Sequence, residues 1–163
     1  MQYVNTSLED SVQKIYQKIG VRDPDHPMED TADRIGVYIS HWKLPFLIPG
    51  NIVLDPMLSK EKKKEVFGHE LCHHLCHVGV QLDMPESFRM LQEYQAKNFA
   101  LHFCVPTFML HRLSFPKHRN ESIGKIAATF GVTGNFAAER LRHYEKQING
   151  FMVYEKVSRQ LIH

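Results

Sequence analysis

Leu8, Val12, Ile15, Tyr16 and Ile19 recur three and four residues apart, the spacing that lines up one face of a helix. With Ser7 as N-cap and Gly20 as stop, they predict a helix over 7–20. A Pro/Asp-rich turn at 23–27 leads to a second short helix over 28–36, ending at Gly36. Two runs rich in β-branched and aromatic residues, VYISHW (37–42) and NIVLDP (51–56), are bounded by Pro and Gly and predict strands. The charged stretch SKEKKKE (59–65) leads into a helix whose first turns read VFGHELCHHLCH. After a loop at 79–85, a long helical run from Glu86 to about Phe103 is closed by Pro106. Residues 120 to about 148 are helical again with a turn at 131–134, and FMVYEKV (151–157) is β-prone. No internal repeat or flexible linker interrupts the pattern. The expected class is α+β, a small sheet followed by helices.

The chain has 163 residues, 43% hydrophobic and 23% charged, which is ordinary globular usage and excludes disordered or low-complexity classes. The net charge of +2 is too mild to argue for nucleic acid or membrane, but it is unevenly spread. Residues 1–106 hold 11 Lys/Arg against 14 Asp/Glu, and residues 107–163 hold 9 against 4. The basic C-terminal third is a weak pointer to an acidic partner. Three cysteines, an odd number in a chain long enough to fold without disulfides, indicate a reducing compartment. The N-terminus carries acidic residues where a signal peptide would be apolar. The longest apolar stretch, 99–110, contains His102 and Pro106 and is too short to span a bilayer. A cytoplasmic protein with no membrane partner is expected.

The strongest chemical signal is His69-Glu70-Leu71-Cys72-His73. Residues i and i+4 of a helix are offset by about 40°, so both imidazoles leave the same face one turn apart. Two nitrogens so placed can meet one Zn²⁺ at about 2.0–2.1 Å. Glu70 sits about 100° round from His69, where its carboxylate can take a proton from an attacking water and return it to a leaving amine. A catalytic zinc takes a third protein ligand and leaves one position open. Glu93, on the next long helix with 19 residues between it and His73, completes a His₂Glu set. Ala96 and Ala100 follow at helical spacing and would let the two helices approach closely. Zinc is the default for this set, and Mn²⁺ and Fe²⁺ accept the same ligands. Metal-dependent hydrolysis of a peptide bond is therefore expected, with Glu70 as catalytic base and His69, His73 and Glu93 as metal ligands.

Other candidates are weaker. A Cys₂His₂ site from Cys72, Cys76, His73 and His77 fails because one straight helix cannot wrap an ion tetrahedrally, so both thiols are expected in the core. His77, at i+8 from His69, is expected beside a ligand or as a helix C-terminal cap rather than on the metal. His74 faces away, and His102 and His111 have no partner that sequence can name. Lys60 to Lys64 read as a solvated helix start. Residues 122–144, with a Gly-centred turn and a second helix bearing Arg140 and Arg142, have helix-turn-helix grammar and could read DNA. A helical hairpin packed on the core serves the same pattern and is the preferred reading.

These residues resemble the ImmA/IrrE metallopeptidases over roughly 28–145. The resemblance runs from ADRIGVYIS through IVLDPMLSKEKKKEVFGHELCHHLCH to EYQAKNFALHFCVP, matching a HELxHxxLH motif and a downstream E-x-x-A-x-x-F-A run. It puts His69, His73 and Glu93 in the ligand places and Glu70 in the general-base place. Cys72 stands where the family has Gly, Cys76 where Leu is common, and Lys97-Asn98 where Asn-x is usual. The resemblance implies a zincin-like core over 1–110 and a helical C-terminal part over 111–163 packed on it. It also implies narrow-specificity cleavage of a helix-turn-helix repressor that derepresses phage or mobile-element genes. Two other functions compete: an antirepressor that acts by binding alone, and a DNA-binding regulator using 122–144.

Overall fold

A computed structural model describes residues 3–41, 50–77 and 84–161, with side chains to residue 150. It is mostly helical with one small sheet. Helix α1 (Ser7–Ile19) starts at Thr6, whose hydroxyl accepts from the Glu9 N–H while the Glu9 carboxylate accepts from the Thr6 N–H. The cap is thus one residue earlier than Ser7, because Glu9, three positions after Thr6, closes a reciprocal capping box with it. Helix α2 (Met28–Ile35) ends at Gly36, which turns left-handed at φ 88° as expected. Strands β1 (Tyr38–Ser40) and β2 (Asn51–Val53) pair in parallel, Ile39 opposite Ile52. They are shorter than the apolar runs that announced them; Trp42 of the first run lies outside the described residues.

Helix α3 (Lys60–Cys76) is capped by Ser59, so the charged stretch is its first turn. Most of the loop expected at 79–85 lies outside the described residues. Helix α4 (Glu86–Cys104) follows, then a helical turn α5 (Thr107–Leu110) after Pro106. Helix α6 (Arg119–Phe130) stops at left-handed Gly131, and α7 (Gly134–Leu161) runs 28 residues. Residues 151–157 therefore continue a helix and form no strand. Helix extension adds a hydrogen bond for each residue fixed, whereas β propensity is realised only beside a partner strand.

The core is one cluster: Val12 and Tyr16 of α1, Leu54 after β2, Phe67 and Leu71 of α3, Ala96, Phe99 and Phe103 of α4, with Ile126, Phe130 and Leu141. The Tyr16 hydroxyl donates to the Phe103 carbonyl at 2.8 Å and ties α1 to α4. Among the described residues, α3 and α4 share the largest interface. Its closeness has a local cause. A Cβ on Gly68 would stand 2.8 Å from Cys104 Sγ and 3.5 Å from the Ala100 Cα, so the residue before His69 must be glycine for these helices to touch. Ala96 and Ala100 are buried at the same seam, as their size led one to expect.

Candidate metal centre

Two anchors fix the start of α3. Lys64 Nζ donates to the Phe130 carbonyl at 2.6 Å and to that of Pro24 at 3.3 Å. Glu65 is buried, and its carboxylate accepts the Thr133 N–H at 2.8 Å and pairs with Lys62 at 2.9 Å. Lys64 is thus no solvated cation; burial lowers its pKa, because desolvation disfavours the ammonium. Its inward turn leaves no mark in the sequence, because a charged run of five gives no sign of which position points to the core.

Two turns on, His69 and His73 leave α3 toward α4, and Glu93 meets them. Their Nε2 atoms are 3.2 Å apart. Glu93 Oε2 lies 3.2 Å from His69 Nε2, and its Oε1 lies 3.3 Å from His73 Nε2. These spacings test whether an ion fits. Donors about 2.05 Å from a tetrahedral centre stand about 3.3 Å from one another, which matches the distance between the imidazoles and the distance from each imidazole to its nearer Glu93 oxygen, the two histidines meeting different oxygens of that carboxylate. Among the described residues this is the one group of three or more His, Cys, Asp or Glu side chains with convergent donor atoms. The imidazoles are mostly covered while Glu93 is 45% exposed, so the cluster faces outward on its Glu93 side.

The His69 pKa is lowered: burial outweighs the opposing pull of Glu93 and Glu70. A neutral imidazole with a free lone pair is the form a metal needs. Glu70 is half-buried and close enough to His69 for its charge to be felt there. A cavity of about 410 Å³ opens beside His69 between α3, α4 and α7, lined by Val66, Lys97, Leu101, Phe136 and Glu139 among others.

The remaining candidates separate cleanly. His77 is the C-cap of α3, and its Nδ1 lies 2.8 Å from His73 Nδ1, the nitrogen turned away from the cluster. Cys72 is buried, and burial with Cys76 nearby pushes its thiol up to about 12. Cys76 is exposed, contrary to its expected place in the core, because it sits in the last turn of α3 where the covering elements end. His74 is exposed, its ring about 3.6 Å from where a Cβ of Gly50 would be. His102 is buried against α4's own backbone, with Nδ1 2.8 Å from the Asn98 carbonyl. His111 stacks edge-on against Tyr3.

Arg140 settles the contest over 122–144 at its own position. It is fully buried, donating to the Val105 carbonyl at 3.0 Å and to Thr107 Oγ1 at 2.7 Å. A side chain so enclosed cannot reach a base edge. Arg142 is exposed and leans toward Glu139 at 3.9 Å. Among the described residues no helix is long and apolar enough to cross a membrane.

The chain is 36% identical over 162 residues to the phage-like element PBSX protein XkdA of Bacillus subtilis (strain 168), covering 96% of this chain and 82% of that protein. It is 29% identical over 167 residues to the protein YqaB of the same strain, covering 99% and 97% respectively. No solved structure matches it. The family model for IrrE N-terminal-like domains matches residues 17–142, a span holding β1, β2, α3, α4 and the three side chains His69, His73 and Glu93. The chain belongs to the peptidase M78 family.

Proposed function

We propose that this protein is a cytoplasmic zinc-dependent endopeptidase of narrow specificity, which cleaves a helix-turn-helix transcriptional repressor and so derepresses phage or mobile-element genes. The observation that carries the reading is the convergence of His69, His73 and Glu93, each imidazole about 3.2–3.3 Å from a Glu93 oxygen and the two imidazoles 3.2 Å apart. Membership of a peptidase family and a relative from a phage-like element support it.

In this reading His69, His73 and Glu93 hold the ion, within a zincin-like core over 1–110. When bound, zinc polarises the scissile carbonyl and lowers the pKa of the attacking water. Glu70, one residue beyond a ligand, accepts the proton of that water as the oxygen attacks the carbonyl carbon. It then delivers the proton to the departing amide nitrogen as the C–N bond breaks, which leaves a carboxylic acid, holding the other proton of the water, and an amine. Both imidazoles are largely shielded, so their lone pairs stay aimed at one point. The open side at Glu93 and the cavity beside His69 give an extended segment room to lie across α3 and α4. The helical part over 111–163 lines that cavity through Phe136 and Glu139 and helps to seat the substrate.

The test is a helix-turn-helix repressor from the same locus, incubated with the protein and followed by gel. Cleavage stopped by a chelator and restored by zinc is expected. A repressor that leaves its operator uncut would point instead to an antirepressor acting by binding.

A further inference from the structure

A metal ligand has a second nitrogen, and at His73 that atom is engaged. His73 Nδ1 lies 2.8 Å from His77 Nδ1, and His77 Nε2 lies 3.1 Å from Oε1 of Gln95 on α4. Two ring nitrogens in contact must divide the roles: one carries the proton and the other accepts it. If His73 Nε2 offers its lone pair to an ion, the neutral ring holds its proton on Nδ1, and His77 Nδ1 must accept. The proton of neutral His77 is then on Nε2, facing an amide oxygen that can only accept. Each link matches the next. The opposite arrangement, with His77 Nδ1–H donating, forces the His73 proton onto Nε2. That atom is among the cluster donors, 3.2 Å from His69 Nε2, and a proton there forbids ligation.

We propose that His77 and Gln95 form a relay that fixes the tautomer and ring plane of His73. His77 is a positioning residue for metal capture, not a fourth ligand. The inference rests on the metal reading above and adds to it two residues outside the HExxH-plus-Glu set. Local structure makes it available. The backbone at His77 turns extended (φ −113°, ψ 134°) while its N–H still donates to the His73 carbonyl at 3.3 Å. The chain therefore leaves the helix with its imidazole stacked edge-on against His73, ring centres 4.8 Å apart, and within reach of α4. The relay bridges α3 to α4 on the side of His73 away from Glu93, so the ring is held from both nitrogens.

Groups that orient a ligand through its second nitrogen are worth about 10–100-fold in metal affinity. The test is the zinc dissociation constant of the full chain, by competition with a chromophoric chelator, for wild type, His77→Phe and His77→Asn. The Asn side chain keeps an oxygen where Nδ1 was. His77→Phe is expected to weaken zinc binding about 10–100-fold, and His77→Asn to restore most of the loss. Equal affinity in all three overturns the relay. Nitrogen-15 NMR of zinc-loaded wild type gives a check that needs no variant: His73 protonated at Nδ1, and His77 protonated at Nε2 with Nδ1 bare. A His77 protonated at Nδ1, or itself bound to zinc, overturns the proposal. A wild-type chain that takes up no zinc would remove the metal reading itself, a failure distinct from a zinc site indifferent to His77.

Discussion

An imidazole whose burial outweighs any nearby carboxylate is stable only when neutral. His102 is in that position: burial, with the nearby Arg140 charge, outweighs the opposing pull of the Asn98 carbonyl and Glu9 and pushes its pKa down to about 4. Between about pH 4 and its ordinary value near 6.5, the unfolded chain binds a proton there that the folded chain does not. Stability from this group is therefore complete above pH 6.5 and falls as pH drops toward 4, by up to about 3 kcal/mol. Urea unfolding at pH 7 and pH 4.5 should show a smaller acid loss in His102→Leu than in wild type; an equal loss would mean that His102 does not carry it. Glu9 adds to the same trend lower down. Its burial would raise the pKa, but hydrogen bonds from Thr107, Thr6 and Tyr3 outweigh that and lower it. Its contribution is present above its ordinary 4.5 and is lost as pH falls below.

The convergence of His69 and His73 was legible in the sequence at this scale because i,i+4 spacing on a helix translates directly into a shared face. The place of Glu93 beside them was legible because a His₂ pair proposed to bind an ion calls for a third donor, and the next helix offered one at a matching position. Gln95 was not. It lies two residues from Glu93, about 200° round the helix, and its long side chain reaches His77 by a path that no periodicity marks.

Among the elements, the α3–α4 seam decides whether three donors converge. Gly68→Ala gains helix propensity of about 1 kcal/mol. It also drives a Cβ to within 2.8 Å of Cys104 Sγ, a buried atom already engaged with the Lys64 carbonyl at 3.3 Å. Overpacking of this kind costs about 1–3 kcal/mol, so a net loss in melting temperature is expected, with weaker zinc binding as α3 shifts off Glu93. Gly124→Ala on α6 is the control. A Cβ there meets nothing within 4 Å, and a stabilisation of about 0.5–1 kcal/mol is expected. Thermal melts of both variants check the pair, and a Gly68→Ala protein as stable as Gly124→Ala would contradict the close-approach account. Element boundaries were readable where a cap or a left-handed glycine closed a helix, as at Gly36 and Gly131. They were misread at 151–157, where a β-prone stretch of sequence continues a long helix.

Across the whole molecule, the two ends of the chain are joined through a buried charge pair. Glu9 of α1 accepts from Tyr3, Thr107 and Gln147, and Arg140 of α7 stands 3.9 Å from it while donating to Thr107 and the Val105 carbonyl. Removing one partner of such a pair strands the other charge out of water and costs about 3–5 kcal/mol. Arg140→Ala is expected to lose that much in chemical denaturation, and Arg142→Ala, two residues on and exposed, less than about 0.5 kcal/mol. Similar losses from both would mean that Arg140 is no strut. Sequence alone could weigh these arginines as a DNA-reading pair because their spacing says nothing of which one faces Glu9, about 130 residues away.

The central claim is that this arrangement hydrolyses a peptide bond through Glu70. The most direct measurement is intact-mass analysis of a helix-turn-helix repressor from the same locus, incubated with zinc-loaded wild type and with zinc-loaded Glu70→Gln. Two fragments that together weigh the substrate plus one water are expected with wild type. With Glu70→Gln, full zinc occupancy and cleavage slower by about 10²–10⁴-fold are expected. Equal cleavage by both proteins, or an intact repressor with both, would contradict the claim.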